Sequence, residues 1–198
     1  MRKVPINETA EELDYDLITI PGEDDLQIAV IPAFYRSQKF EDTGVRFVSW
    51  TLTADSIFAP KPFEELYGWY AESSRETAVE VSNQLFAGGS LRHSELIVII
   101  PNGKHLATFE NKLASGDPVD NLVITHLSKL GLPFGIPVPI QVNTFQNCYV
   151  TGVQQYMDNL ILRFRIQKKS VLCTTFSQKG SPTGVGFFSI DFATHKLF

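Results

Sequence analysis

The 198-residue chain has only two cysteines, Cys148 and Cys173, and no apolar run of the roughly 18 residues that a transmembrane helix requires. Two cysteines allow at most one bridge, a chain of this length buries a core without one, and both are expected to be reduced and buried. The opening residues Met1 to Glu8 lack the apolar stretch of a signal peptide, so the protein is expected to fold where it is made. Positive charge is also short. Seventeen basic against twenty-two acidic side chains leave a net charge of −5, and bulk attraction to nucleic acid or anionic membrane is not expected. Histidine is scarce and scattered: His93, His105, His126 and His195 include no pair at the spacing that sets two ligands on one helix face. With no C-x-x-C pair either, a zinc site is not expected.

Catalytic patterns are equally lacking. The adjacent acids Glu11-Glu12, Asp24-Asp25 and Glu64-Glu65 sit where carboxylates are normally solvated and do not bracket a substrate. Ala87-Gly88-Gly89-Ser90 is followed by no lysine at P-loop spacing and reads as a turn. Cys148 alternates with Val150 as a core cysteine does, and His126 lies among strand residues as a structural histidine does. The fifteen phenylalanines follow core periodicities and are not interleaved with basic residues as in a single-strand nucleic-acid reader. No catalytic, cofactor-binding or metal-ligating residue is assigned, and the chain is not expected to be an enzyme.

What is present is strand pattern. Asn159 to Gln167 alternates, with Leu160, Leu162, Phe164 and Ile166 on one face and Ile161, Arg163, Arg165 and Gln167 on the other. Val45–Thr53 and Thr77–Phe86 alternate similarly, while the β-branched run Leu96 to Ile100 suits a strand buried on both faces. Further strands are predicted at Leu17–Ile20, Leu26–Ile31, Leu122–Leu127, Val138–Phe145, Cys148–Gln155, Val171–Ser177 and Val185–Phe192. Turn residues at Pro21–Asp25, Met157–Asn159 and Lys179–Gly184 join them into an antiparallel meander. The proline-rich stretch Leu132–Pro139 is too short for an interdomain linker and reads as an edge or loop. One helix is predicted over His105–Ser115, with Leu106, Phe109 and Leu113 as its buried stripe and Gly116 and Pro118 ending it. A second is predicted over Pro62–Glu72, opening on proline and carrying Phe63, Leu66, Trp69 and Tyr70. The expected fold is all-β, a β-barrel or sandwich of antiparallel strands with one or two flanking α-helices.

Charge is unevenly spread. Residues 1–30 hold eight acidic and two basic side chains, whereas residues 160–198 hold six basic side chains against Asp191 alone. The asymmetry is a candidate association device.

The order of elements from Phe109 to Ser170 resembles a known family. It is carried by the helix end and turn Phe109-Glu110-Asn111-Lys112-Leu113-Ala114-Ser115-Gly116-Asp117-Pro118, the strand Asn121-Leu122-Val123-Ile124-Thr125, and the segment Thr144 to Val153 before Asn159–Gln167. Gly186 to Lys196 is similar to the family's closing strand. These segments resemble the tail-tube proteins of contractile phage tails and the related haemolysin-coregulated protein of type VI secretion. About half the chain is covered, and residues 1–75 depart from the pattern as elaborations of a single domain spanning 1–198. The resemblance implies a structural subunit of an inner tube, or of a tube-proximal baseplate ring, in a phage tail or a type VI secretion machine. It implies self-association into hexameric rings that stack into tubes, contacts with sheath and baseplate proteins, and no cofactor. It places the protein in a virion tail, or in bacterial cytoplasm before assembly, without sequence-specific nucleic-acid binding or membrane insertion. Rival readings are a monomeric β-barrel that binds a small ligand or carbohydrate, for which the aromatic content and a polar barrel mouth are the relevant features, and a hydrolase with a site assembled from scattered residues.

Overall fold

The computed structural model describes residues 16–19, 27–30, 48–54, 64–75, 78–79, 85–86, 91–101, 105–128, 138–156, 159–177, 181–194 and 196–197. The turns at Pro21–Asp25, Met157-Asp158 and Lys179-Gly180, the segment Ala87–Ser90, and residues 132–137 of the proline-rich stretch lie outside the described residues. Strands dominate: β1 (Asp16–Thr19), β2 (Gln27–Val30), β3 (Val48–Ala54), β4 (Glu64–Leu66), β5 (Gly68–Tyr70), β6 (Ser73–Arg75), β7 (Ala78–Val79) and β8 (Leu85–Phe86). They continue as β9 (Leu91–His93), β10 (Leu96–Pro101), β11 (Val119–Ser128), β12 (Val138–Tyr156), β13 (Asn159–Phe176), β14 (Pro182–Asp191) and β15 (Lys196–Leu197), with the helix α1 (Leu106–Ser115) between β10 and β11. The all-β fold with a helix matches the sequence expectation. No helix among the described residues is long and apolar enough to cross a membrane.

Pairing curls the main sheet into a barrel. β3 pairs with β4 and β11, β11 with β12, β12 with β13, and β13 with β10, all antiparallel. β10 then pairs with β5, and the Tyr67 N–H between β4 and β5 donates to the Ile99 carbonyl at 2.8 Å, which brings the sheet back to its starting strand. β1–β2, β6–β9 and β7–β8 form separate two-stranded sheets.

The core follows the period-2 patterns. Leu160, Leu162, Phe164 and Ile166 from β13 meet Leu96, Val98 and Ile100 from β10 and Leu122 and Ile124 from β11, all buried. Ile97 and Ile99 point the other way and form a second cluster with Ile161, flanked by Tyr67 and Tyr70, so β10 is buried on both faces as its sequence predicts. Ile161, placed by alternation on the polar face, is therefore buried too. Cys148 is fully buried and Cys173 half-buried, and both are free thiols. Burial pushes the Cys148 thiol up to about 12. A thermal melt with and without reductant should give the same midpoint, since a bridge between them would have contributed roughly 2–4 kcal/mol.

The helix forms where predicted, and its end has a clear cause. Gly116 adopts φ 71° and its N–H donates to the Lys112 carbonyl at 3.0 Å, a left-handed closure that residues with a Cβ disfavour. Its stripe is narrower than expected: Phe109 is fully buried, Leu106 half-buried and Leu113 36% exposed. Lys112 is not a purely solvated position either, since its ammonium donates to the Pro118 carbonyl at 3.2 Å.

Three other expectations are corrected. Pro62–Glu72 is not a helix within its described part: Glu64–Leu66 and Gly68–Tyr70 are strands paired to β3 and β10. Trp69 and Tyr70 favour extended backbone, and two neighbouring strands offer ladder partners that outweigh a short helical stripe. Thr77–Phe86 is not one strand, because Ala78-Val79 pairs antiparallel with Leu85-Phe86 and the chain reverses between them. Finally, Val138–Phe145 and Cys148–Gln155 are one strand, and Asn159–Gln167 is one strand with the predicted Val171–Ser177 up to Phe176. Phe145 and Cys148 are both buried although three apart, which Asn147 permits by taking φ 51° while its amide donates to Gln167 Oε1 at 2.7 Å. The resulting β12 and β13 hold 19 and 18 residues, about 60 Å at the usual rise.

Candidate assembly surface

A strand of that length outruns the barrel. Along one edge of β13, residues 159–164 pair with β10 and residues 168–176 pair with β14. The second half carries an arm with β14 as its outer strand. β15 covers only Ile190 and Asp191 of β14, so among the described residues Pro182 to Ser189 have no strand on their outer side.

That edge is apolar and exposed. Val185 and Phe187 lie on one face, 68% and 66% exposed, and Phe188 on the other at 46%. Leu172 sits directly across from Phe187 on β13 and is also exposed, extending the ridge. Pro182 to Ile190 contain no charged residue. Soluble proteins usually protect a free edge with lysine, a bulge or a covering element, so an uncharged aromatic edge is a surface built to be covered. The arm is held in shape: the Ser177 N–H donates to the Ser181 carbonyl at 2.8 Å, and Thr183 and Thr175 hydroxyls hydrogen-bond across the pair at 3.2 Å. At its base, Asp191 Oδ1 accepts from the N–H groups of Ala193 and Thr194 at 2.8 and 3.2 Å. Burial pushes this carboxyl up, but those donors and Lys168, 3.6 Å away, outweigh it and hold the pKa below the usual range.

Between the two partners of β13 lies a seam at Arg165 to Gln167. The Phe192 N–H closes it partly by donating to the Gln167 carbonyl at 2.9 Å. Two adjoining hollows of about 300 and 390 Å³ remain, sharing Arg165, Ile166 and Phe192. Tyr149 walls one hollow, and His93, Ser94 and Glu95 wall the other. The His93 ring meets Phe192 edge-on at 4.5 Å, and its Nδ1 hydrogen-bonds the Ser94 carbonyl. Burial lowers the His93 pKa despite that bond, and Lys169 lowers it further, so the ring is neutral at pH 7.

His105 and His126 serve structure. His105 precedes α1 without capping it through its side chain, and its Nε2 hydrogen-bonds Glu64 Oε2 at 3.0 Å, tying the helix start to β4. His126 is half-buried with its pKa lowered by desolvation, and His195 lies outside the described residues. Among the described residues no three His, Cys, Asp or Glu side chains cluster as metal ligands. The sequence resemblance named Gly186–Lys196 as a closing strand but did not single out Val185, Phe187 and Phe188. The signal was the absence of charge from Pro182 to Ile190.

No family model and no curated protein sequence matches the chain. Solved structures do. A type six secretion system protein superposes with a TM-score of 0.65 at 15% identity, over 76% of this chain and 99% of that one. Hcp1 from Salmonella typhimurium follows with 0.58 at 14% identity, over 76% and 99%. A type VI secretion system effector from Yersinia pestis gives 0.51 at 12% identity, over 72% and 98%. At these identities the likeness is one of fold: the barrel with its helix is the architecture of these secretion-system proteins, as the sequence resemblance implied.

Proposed function

We propose that the protein is a non-enzymatic structural subunit that assembles into rings, six copies each, stacked as the inner tube or a tube-proximal baseplate ring of a contractile phage tail or a type VI secretion system. The observation that carries this reading is an Hcp-like barrel extended by an arm whose outer strand is open, aromatic and uncharged. A ring solves the edge problem by symmetry, because each copy covers a neighbour's exposed strand through the same heterologous contact, repeated until it closes. Sheath and baseplate proteins are the partners such a ring serves. The elaboration within residues 1–75 of this one domain is the separate β1–β2 pair, whereas β3, β4 and β5 belong to the barrel sheet itself.

Light scattering across a concentration series tests the reading. A mass several times 22.2 kDa that persists on dilution is expected. A strictly monomeric mass at high concentration would contradict it and favour the ligand-binding barrel.

A further inference from the structure

The arm accounts for lateral association but leaves the seam beside Arg165 unexplained. Arg165 is exposed, and among the described residues it has no carboxylate partner. Its cross-strand neighbour Tyr149 is 45% exposed, so a guanidinium stands beside an open aromatic face, with Ile166 and Phe192 as apolar surface in the same hollow. Two more cations, Lys168 and Lys169, follow it along β13. Lys169, half-buried with its ammonium 6.0 Å from the Phe145 ring, has no carboxylate partner among the described residues either, whereas Lys168 is matched by Asp191. His93 is neutral, and Glu95, in the second hollow, is the one acidic side chain lining the two.

An arginine with open donors beside apolar and aromatic walls suits a carboxylate flanked by apolar side chains. This chain contains such a segment. Glu8 to Asp16 carry five carboxylates, Glu8, Glu11, Glu12, Asp14 and Asp16, with Leu13 and Tyr15 among them and no basic residue. We propose that the Arg165 seam receives the acidic segment Glu8–Asp16 of a second copy of this chain, in the adjoining ring. The inference rests on the assembly reading above and adds to it the contact that joins ring to ring. The acidic segment and the Arg165 seam are different patches, so the contact is heterologous and propagates without closing, as a stack requires.

Two charge-reversed variants test it. One is Arg165→Glu; the other combines Glu11→Arg, Glu12→Arg and Asp14→Arg. Sedimentation at low salt should show each variant alone forming rings of wild-type mass with the stacked fraction reduced about tenfold or more, the scale of losing a desolvated charge pair. An equimolar mixture of the two should regain stacking, because each supplies the charge the other now needs, and raising salt from about 0.1 to 1 M should weaken wild-type stacks as the Debye length falls from about 10 to 3 Å. Arg165→Gln should fall between wild type and Arg165→Glu. The inference is overturned if Arg165→Glu stacks like wild type. It is overturned equally if stacking returns only when both sets of changes sit in one chain and never in the mixture, which would seat the acidic segment within its own copy. In both of those outcomes rings persist and the assembly reading stands; absence of wild-type rings would remove both.

Discussion

Replacing Phe109 with alanine should cost about 3–5 kcal/mol of folding stability, the range for truncating a buried aromatic side chain. Phe109 is the one residue of α1 that is fully buried, and its ring meets Phe164 of β13 edge-on at 6.0 Å. Truncation therefore removes transfer energy, leaves a cavity beneath the helix, and deletes an aromatic pair worth roughly 0.5–1.5 kcal/mol by itself. Two positions on the same helix calibrate the effect. Glu110→Ala, at an exposed site, should stay within about 0.5 kcal/mol. Leu113→Ala should cost much less than Phe109→Ala, because Leu113 keeps 36% of its surface in water. Urea denaturation of the three variants checks this, and equal losses at Phe109 and Leu113 would show that the stripe is buried as a whole.

The second large effect falls on assembly instead of folding. Val185 and Phe187 point into solvent in the single chain, so Val185→Lys with Phe187→Asp should leave the thermal midpoint of the monomeric unit nearly unchanged. In a ring the same side chains are covered, and burying two charges there removes contacts of about 2–4 kcal/mol each at the centre of an interface. The double variant should therefore be folded and monomeric at concentrations where the wild type assembles. Circular dichroism paired with sedimentation velocity separates the two effects. A variant that assembles normally would place the interface elsewhere, and one that fails to fold would show that the arm is part of the core.

The sequence carried the strand content well because the core obeys alternation: Leu160, Leu162, Phe164 and Ile166 are buried as a set, and Leu96 to Ile100 are buried on both faces. The helix was legible because Phe109 and Gly116 mark its face and its end. Errors arose where a longer-range partner overrode a local signal. Glu64–Tyr70 becomes strand because β3 and β10 flank it, and no spacing within those residues reports its neighbours. The long strand β12 reads as two because the buried parity changes between Phe145 and Cys148, which in sequence resembles a break, whereas in structure Asn147 at φ 51° carries the strand through and bonds Gln167 of β13. The seam was hidden for a similar reason. Arg165, Phe192 and His93 are remote in sequence and meet only because β10 and β14 share one edge of β13.

Negative-stain electron microscopy of the purified full chain, without added ligand, tests the central claim most directly. Closed rings with a central hole, some stacked into short tubes at low salt, are the predicted result. Dispersed single particles of 22.2 kDa at every concentration and salt would contradict the account.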